Sequence, residues 1–101
     1  TTQAVIELLR SAPGWSLRAR AAEALGVAAA EALPQPTAEL ADRALRRAAL
    51  QDEFALVREA ALKALAARGG SRLKPLFDRV AKNDAEPRLR QLARQLAEGM
   101  H

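Results

Sequence analysis

Apolar residues recur along the chain at the spacing of one helical face, and the same pattern returns three times. Each occurrence is anchored by an apolar residue followed by arginine: Leu17-Arg18, Val57-Arg58 and Leu89-Arg90. Further apolar residues follow each anchor at four, seven and eight positions and precede it at nine, twelve and thirteen positions. This period of about 3.6 residues predicts amphipathic helices, and its recurrence predicts an internal repeat.

The aligned positions are apolar in every unit. Those after the anchor are Ala21, Ala61 and Ala93, then Ala24, Ala64 and Leu96, then Leu25, Leu65 and Ala97. Those before it are Leu8, Ala48 and Val80, then Val5, Leu45 and Phe77, then Ala4, Ala44 and Leu76. The anchors lie 40 and then 32 residues apart (17 to 57, 57 to 89), so an insertion separates the first two units. The segment 28–37, with Pro34 and Pro36, is its predicted place, either as a longer helix or as a loop.

Breaks in the pattern divide each unit into two helices, which are predicted near 2–11, 16–32, 38–50, 53–67, 72–83 and 86–98. Turn and cap residues mark the breaks: Pro13-Gly14 as a turn, Thr37, Asp52 and Asp84 as N-caps, Pro87 in a first turn, and Gly69-Gly70 and Gly99 as left-handed residues after helix ends. Short connections make neighbouring helices antiparallel. We therefore expect an all-α solenoid of three hairpins in one domain, 1–101, with units near 1–33, 37–68 and 71–100.

The second helix of each unit resembles that of HEAT-type repeats (HEAT/PBS-lyase type), in which an aspartate precedes Val-Arg and then spaced alanines. The match is Asp52, Val57-Arg58, Ala61 and Ala64-Leu65, and it recurs at Asp84, Leu89-Arg90, Ala93 and Leu96. The first unit departs from the family pattern, with Ala12 at the aspartate position. The resemblance implies a right-handed solenoid and a structural ladder made by Asp52, Asp84, Arg18, Arg58 and Arg90. The alternative, that Arg58 or its equivalents contact a ligand, stays open.

Composition excludes several classes of protein. The 101 residues include no cysteine, so disulfides and thiolate metal sites are excluded. No apolar run reaches the roughly 18 residues of a membrane-spanning helix, and no signal peptide is visible. The net charge of +4 favours an acidic partner only weakly.

Catalytic constellations are missing from the sequence. The only histidine is His101, the last residue, so no Ser-His or Cys-His pair can form. Asp52 and Glu53 are adjacent carboxylates, but acids at a helix start are ordinarily caps and dipole partners. We therefore expect no enzyme activity, no cofactor and no metal.

The favoured hypothesis is a protein-interaction module that presents its second helices to a protein partner or to another domain of the same chain. The predicted contact residues carry mixed charges: Arg20, Glu23, Glu59, Lys63, Gln91 and Gln95. Trp15, the sole tryptophan, is interpreted as packing over its own hairpin, with a binding hot spot as the alternative.

Two other hypotheses stay open. The chain begins at Thr1, and Ile6 falls in a column shared with Arg46 and Asp78, so it looks exposed. Both points favour the helical-repeat terminal region of a larger enzyme, such as a bacterial metallo-aminopeptidase. Basic residues of the first helices suggest instead a nucleic-acid surface: Arg43, Arg46, Arg47, Arg72, Arg79 and Lys82. Helical pairs such as Asp42 with Arg46 and Asp78 with Lys82 would make that patch an ordinary solvated face.

Overall fold

The structure is a computed structural model that describes residues 1–28, 33–69 and 71–99. Six α-helices fill these ranges: α1 (Thr2–Ser11), α2 (Trp15–Ala28), α3 (Thr37–Gln51), α4 (Ala55–Arg68), α5 (Lys74–Asn83) and α6 (Pro87–Glu98). A single 3₁₀ turn, Ser71–Leu73, leads into α5, and no strand occurs in the described ranges. Consecutive helices pair as three hairpins, and α2 packs on α4 while α1 packs on α3. The chain is an all-α solenoid, as the repeat predicts.

The turns inside the second and third hairpins differ from the predicted caps. Phe54 and Glu86, not Asp52 and Asp84, occupy the N-cap positions of α4 and α6. Each aspartate lies two residues earlier, and its carboxylate accepts the backbone N–H of the N-cap residue at 3.0 and 2.9 Å. An aspartate can close such a turn on its own backbone. The aspartates therefore hold the turns in shape and keep their second oxygen for another donor.

Of three other predicted turn residues, Gly69 has the expected conformation, whereas Thr37 and Gly99 do not have the expected roles. Thr37 is the first residue of α3 rather than its cap, and Pro36 precedes it without a side-chain cap bond. Gly69 ends α4 with φ of 76°, the left-handed conformation expected there, whereas Gly99 has φ of −74° and needs no glycine. The insertion is non-helical over 33–36, and residues 29–32 and Gly70 lie outside the described residues.

The core runs along the whole stack between the two layers of helices. Its fully buried large side chains come from all three hairpins: Phe77, Leu25, Leu45, Leu62, Leu65, Leu89 and Val57. Alanines at one repeated position are also buried, namely Ala21, Ala61 and Ala93. Small residues let helix backbones approach while the larger ones fill the groove between them.

A close helix contact lies between α2 and α4 at Gly26. A Cβ added to Gly26 would lie 2.9 Å from the Cα of Ala64 and 3.0 Å from its Cβ. The nearest obstacle is therefore backbone, which cannot move aside as a flexible side chain would. Glycine at this position sets the distance between the first two hairpins.

Burial in the first hairpin departs from the repeat. Leu8 and Leu17 are 40% and 43% exposed, although their equivalents in the other two hairpins are buried. Ile6, expected to be exposed, is buried and lines the junction of α1 and α3 with Leu40 and Ala44. The prediction for Ile6 was wrong because a column is covered only where a neighbouring hairpin lies. The first hairpin has its neighbour on the α3 side, so Ile6 is covered and Leu8 is not.

Guanidinium groups link each hairpin to the next. Arg18 donates from Nε and Nη2 to the two carboxylate oxygens of Asp52, at 2.9 and 3.3 Å. Arg58 makes the same pair of bonds to Asp84, at 3.0 and 3.2 Å. These four side chains are at most 13% exposed. Each arginine therefore reaches forward along the chain to the aspartate of the following hairpin.

One bond to a backbone carbonyl fixes each of the three ladder arginines, Arg18, Arg58 and Arg90, within its own hairpin. Nη1 of Arg18 donates to the carbonyl oxygen of Ala12 at 2.8 Å, and Nη1 of Arg58 donates to that of Asp52 at 2.8 Å. Arg90 repeats this bond to the carbonyl oxygen of Asp84 at 2.7 Å. Among the described residues, Arg90 has no carboxylate partner.

The burial of Leu65 gives a stability prediction. Leu65→Ala removes a fully buried side chain from the core between the hairpins, so it should lower the free energy of unfolding by roughly 2–5 kcal/mol. Lys63, two residues away, has a side chain that is 62% exposed and pairs with Glu59 on its own helix. Lys63→Ala should therefore change stability by about 0.5 kcal/mol or less. Urea denaturation of both variants checks the register, and equal losses would contradict it.

The close contact at Gly26 gives a second stability prediction. Gly26→Ala improves helix propensity by about 1 kcal/mol, but its methyl group would meet the α4 backbone, and such overpacking costs about 1–3 kcal/mol. We expect a net loss of stability in thermal or chemical denaturation. Gly14→Ala is the control, because no atom other than those of Gly14 and its two chain neighbours lies within 4 Å of the added Cβ. A Gly26→Ala variant more stable than the parent would show that the hairpins are not in contact there.

Candidate interaction surface

A shallow groove runs between the second helices of the first two hairpins. It has a volume of about 610 Å³ and is lined by Trp15, Ala19, Glu23, Gly26, Val27, Leu56, Glu59, Ala60, Lys63, Ala64 and Ala67. Val27 is 75% exposed and Leu56 is 49% exposed, which is unusual for large apolar side chains in a helical stack. We call this surface the α2–α4 groove. It offers apolar contact area with a few charged groups at its edge.

The six predicted contact residues do not all lie at this groove. Glu23, Glu59 and Lys63 line the α2–α4 groove. Gln91 and Gln95 are exposed on α6, in the third hairpin, and Arg20 is exposed on α2. The structure therefore gathers three of the six at one groove. The other three are exposed on α2 and α6 but do not line it.

Glu59 is the least accessible of the six because both of its carboxylate oxygens are engaged. Oε2 lies 3.2 Å from Nζ of Lys63 on the same helix, and Oε1 accepts a bond of 2.5 Å from Nη1 of Arg88 on α6. The bond from Arg88 is the chief cause that lowers the pKa of the Glu59 carboxyl, and Lys63 lowers it further against the opposing effect of burial. Glu59 thus joins the second and third hairpins, a role that the sequence analysis did not assign.

The apolar part of the groove escaped the sequence analysis for a physical reason. Leu56 aligns with Ser16 and Arg88 in the other units, and Val27 aligns with Ala67 and Gly99. Neither position is apolar and large throughout the repeat, so the repeat pattern does not mark it. The only available signal was a lone large apolar residue on the polar side of its helix.

Trp15 packs across to the next hairpin rather than over its own. Its ring stacks on that of Phe54, with the centroids 6.4 Å apart and the planes at 29°. The guanidinium of Arg18 lies over the same Phe54 ring, 5.6 Å from its centroid. Such contacts add to the link between the hairpins. Trp15 remains 41% exposed and forms one end of the groove, so packing and partner contact are compatible.

The basic side chains of the first helices are interrupted by acids. Arg46 bonds Asp42 at 2.7 Å, the pair expected from the sequence. Asp78 bonds Lys74 at 2.9 Å, not Lys82 as predicted. The remaining members are exposed on the surface: Arg43, Arg47, Arg72, Arg79 and Lys82. Arg43 and Arg72 line a recess that also contains Glu39 and Asp42, so the patch is not uniformly positive.

The described ranges contain neither a metal-binding cluster nor a membrane-spanning helix. No group of three or more metal-binding side chains comes together there. Asp52, one of the two adjacent carboxylates, is committed to Arg18 and to the Phe54 backbone. His101 lies outside the described residues. None of the described helices combines the length and the apolar composition needed to cross a bilayer.

The contacts of Glu59 give a prediction for acid conditions. Because its pKa is lower in the folded chain than the ordinary value of 4.5, the carboxylate stabilises the fold above that value. This contribution should be lost as the pH falls through the lowered pKa. The stability difference between the parent and Glu59→Gln should therefore be present at neutral pH and shrink below about pH 4. Denaturant titrations across this range test it, and Arg88→Gln should show the same trend. A difference that does not change with pH would contradict it.

Comparison with known proteins agrees with this geometry. A family profile described as HEAT repeats matches residues 2–98, which is nearly the whole chain. Searches of curated proteins and of solved structures gave no significant match. HEAT repeats generally serve as scaffolds for protein interaction and are typically non-catalytic. Three hairpins in register, linked by forward-reaching arginines and matched by this profile, show that the chain belongs to the HEAT repeat family.

Proposed function

We propose that the chain is a non-catalytic interaction module that binds a protein partner through the α2–α4 groove and the adjoining second helices. The observation that carries the proposal is the exposure of Trp15, Val27 and Leu56 along one groove of about 610 Å³. Exposed large apolar side chains gathered in a concave surface are typical of protein-binding sites. The proposed partner inserts apolar side chains between α2 and α4.

The edge of the groove supports a selective partner. Glu23 and Lys63 are exposed there with opposite charges, and Glu59 is held by Arg88. A surface of alternating sign suits a protein with complementary charges better than a polyanion. Rigid placement also favours binding, because a preformed groove loses little conformational freedom when it is filled. The close contact of Gly26 with Ala64 lies in the groove and holds its two walls at a set distance.

The basic residues of the first helices support nucleic-acid binding less well. Arg46 is paired with Asp42 on its own helix, and Arg43 and Arg72 share their recess with Glu39 and Asp42. All three aromatic side chains of the sequence lie elsewhere: Trp15 and Phe54 stack on each other, and Phe77 is buried. Stacking on bases, which single-strand binders use, is therefore not available on that face.

The test is affinity capture by the immobilised chain from a lysate of its own source cells, followed by direct binding of the captured protein. Leu56→Glu places a charge in the groove without touching the core. Loss of an apolar anchor at an interface is worth about 2 kcal/mol, so we expect about thirtyfold weaker binding. Capture should persist near physiological ionic strength, about 0.15 M.

Leu40→Glu is the matched control for this test. Leu40 is exposed to a similar degree, but it lies on α3 in the groove that faces α1. Binding that survives Leu40→Glu and fails with Leu56→Glu supports the proposal. A partner that binds both variants equally well contradicts the proposal. Nucleic acid retained only at low salt, and lost when Arg43 and Arg47 are changed to glutamate, would move the function to the first helices.

A second candidate function has its own observation. Leu8 and Leu17 leave an apolar face at the first hairpin, where the other hairpins are covered by a neighbour. This face supports the hypothesis of a helical-repeat region within a larger enzyme such as a metallo-aminopeptidase, whose other part would pack there. Ile6, the residue on which that hypothesis first rested, is buried and no longer supports it. Leu8→Glu combined with Leu17→Glu tests whether the isolated chain depends on such packing. If the double variant is more stable than the parent, the first hairpin does not need a covering domain for its stability.

A further inference from the structure

Arg90 repeats the internal bond of the other two ladder arginines. In all three hairpins, Nη1 donates to the carbonyl oxygen six residues earlier, at 2.8, 2.8 and 2.7 Å. This bond holds the guanidinium plane against the end of the preceding helix. Arg90 is therefore oriented in the same way as Arg18 and Arg58, and its side chain has already given up part of its freedom.

The two arginines with the same orientation use their other edge to bind a carboxylate. Nε and Nη2 form a fork that donates to both oxygens of an aspartate, at distances between 2.9 and 3.3 Å. Such bidentate pairs are among the stronger hydrogen bonds in proteins. The described residues supply no carboxylate to this edge of Arg90. We propose that Arg90 is a preformed site for the carboxylate of an aspartate at the start of a partner protein's helix.

The chain itself shows what form the carboxylate should take. Asp52 and Asp84 each bind the fork while one of their oxygens also accepts the backbone N–H two residues on. The turn therefore presents the carboxylate in a fixed direction, and a helix follows it. A partner aspartate held in such a turn would meet the fork with little loss of freedom.

The surrounding surface indicates a polar partner. On the outer face of the third hairpin, Asp78, Arg94 and Glu98 are exposed. Their equivalents in the first hairpin are Ile6, Ala22 and Gly26, all of which are buried. The outer face thus replaces the apolar contacts of an internal junction with charges. A partner seated on Arg90 should meet these charges with complementary ones.

A second copy of the same chain does not fit this site. The first hairpin carries Ala12 where the others carry aspartate, so head-to-tail stacking would bring no carboxylate to Arg90. It would also set the apolar Leu8 and Leu17 against a charged face. Asp52 and Asp84 are already bound within their own chain. The proposed occupant is therefore not a second copy of this chain, and the site is separate from the α2–α4 groove.

The experiment titrates the isotope-labelled full chain with a stapled helical peptide that copies residues 51–62, QDEFALVREAAL, and so presents the Asp52 turn. The side-chain Nε–H resonances of Arg18, Arg58 and Arg90 are followed by NMR. We expect the Arg90 signal to move toward those of Arg18 and Arg58, which already bind carboxylates. The other two should stay in place.

Two controls decide the outcome. A peptide with Asp52→Asn keeps the helix but removes the charge, and should bind roughly tenfold or more weakly. Arg90→Gln should have the same effect on the unsubstituted peptide, while Arg43→Gln, at an exposed arginine of α3 outside the third hairpin, should not. No shift at Arg90 up to about 1 mM peptide overturns the proposal, as does equal binding of the two peptides. Neither result bears on the groove, which Leu56→Glu tests separately.

Discussion

The stack is held by charged groups that are taken out of water between neighbouring hairpins. Arg18 and Arg58 each bind two oxygens of an aspartate in the next hairpin and one carbonyl in their own. A desolvated arginine is tolerated only when its donors are satisfied, and removing one partner leaves the other buried and unpaired. The geometry of the hairpin junctions is therefore restricted to arrangements that complete this set of bonds. Packing of the apolar side chains then fills the space that the ladder defines.

Much of the fold was predictable because the same pattern of apolar positions occurs in all three units. The apolar period placed all six helices to within about three residues of their observed ends, wherever those ends are described. The Asp52–Arg18 and Asp84–Arg58 contacts follow from residues that the repeat brings into the same position in each unit. Because the same pattern occurs in each unit, a solenoid can be predicted from one sequence.

The failures over burial and over contacts between hairpins share one cause, which is that burial depends on neighbours as well as on residue type. Ile6 and Leu8 both lie on α1, yet the side that faces α3 is covered and the other side is not. Arg88 and Glu59 meet across two hairpins at positions that no column of the repeat relates. The large apolar residues of the α2–α4 groove, Trp15, Val27 and Leu56, likewise have no apolar equivalent of similar size in the other units. Features that break the repeat are invisible to an analysis based on it, and these features carry the proposed function.

The forward reach of the ladder gives the chain a direction during synthesis. A ribosome releases the first hairpin before the second. Arg18 has no carboxylate partner until the Asp52 turn emerges, and Arg58 has none until the Asp84 turn emerges. Each newly made hairpin thus supplies the carboxylate that the preceding arginine lacks. Asp52 and Asp84, by contrast, each emerge after the arginine that binds them. A nascent chain of this kind would always carry its unsatisfied positive charge at the growing end.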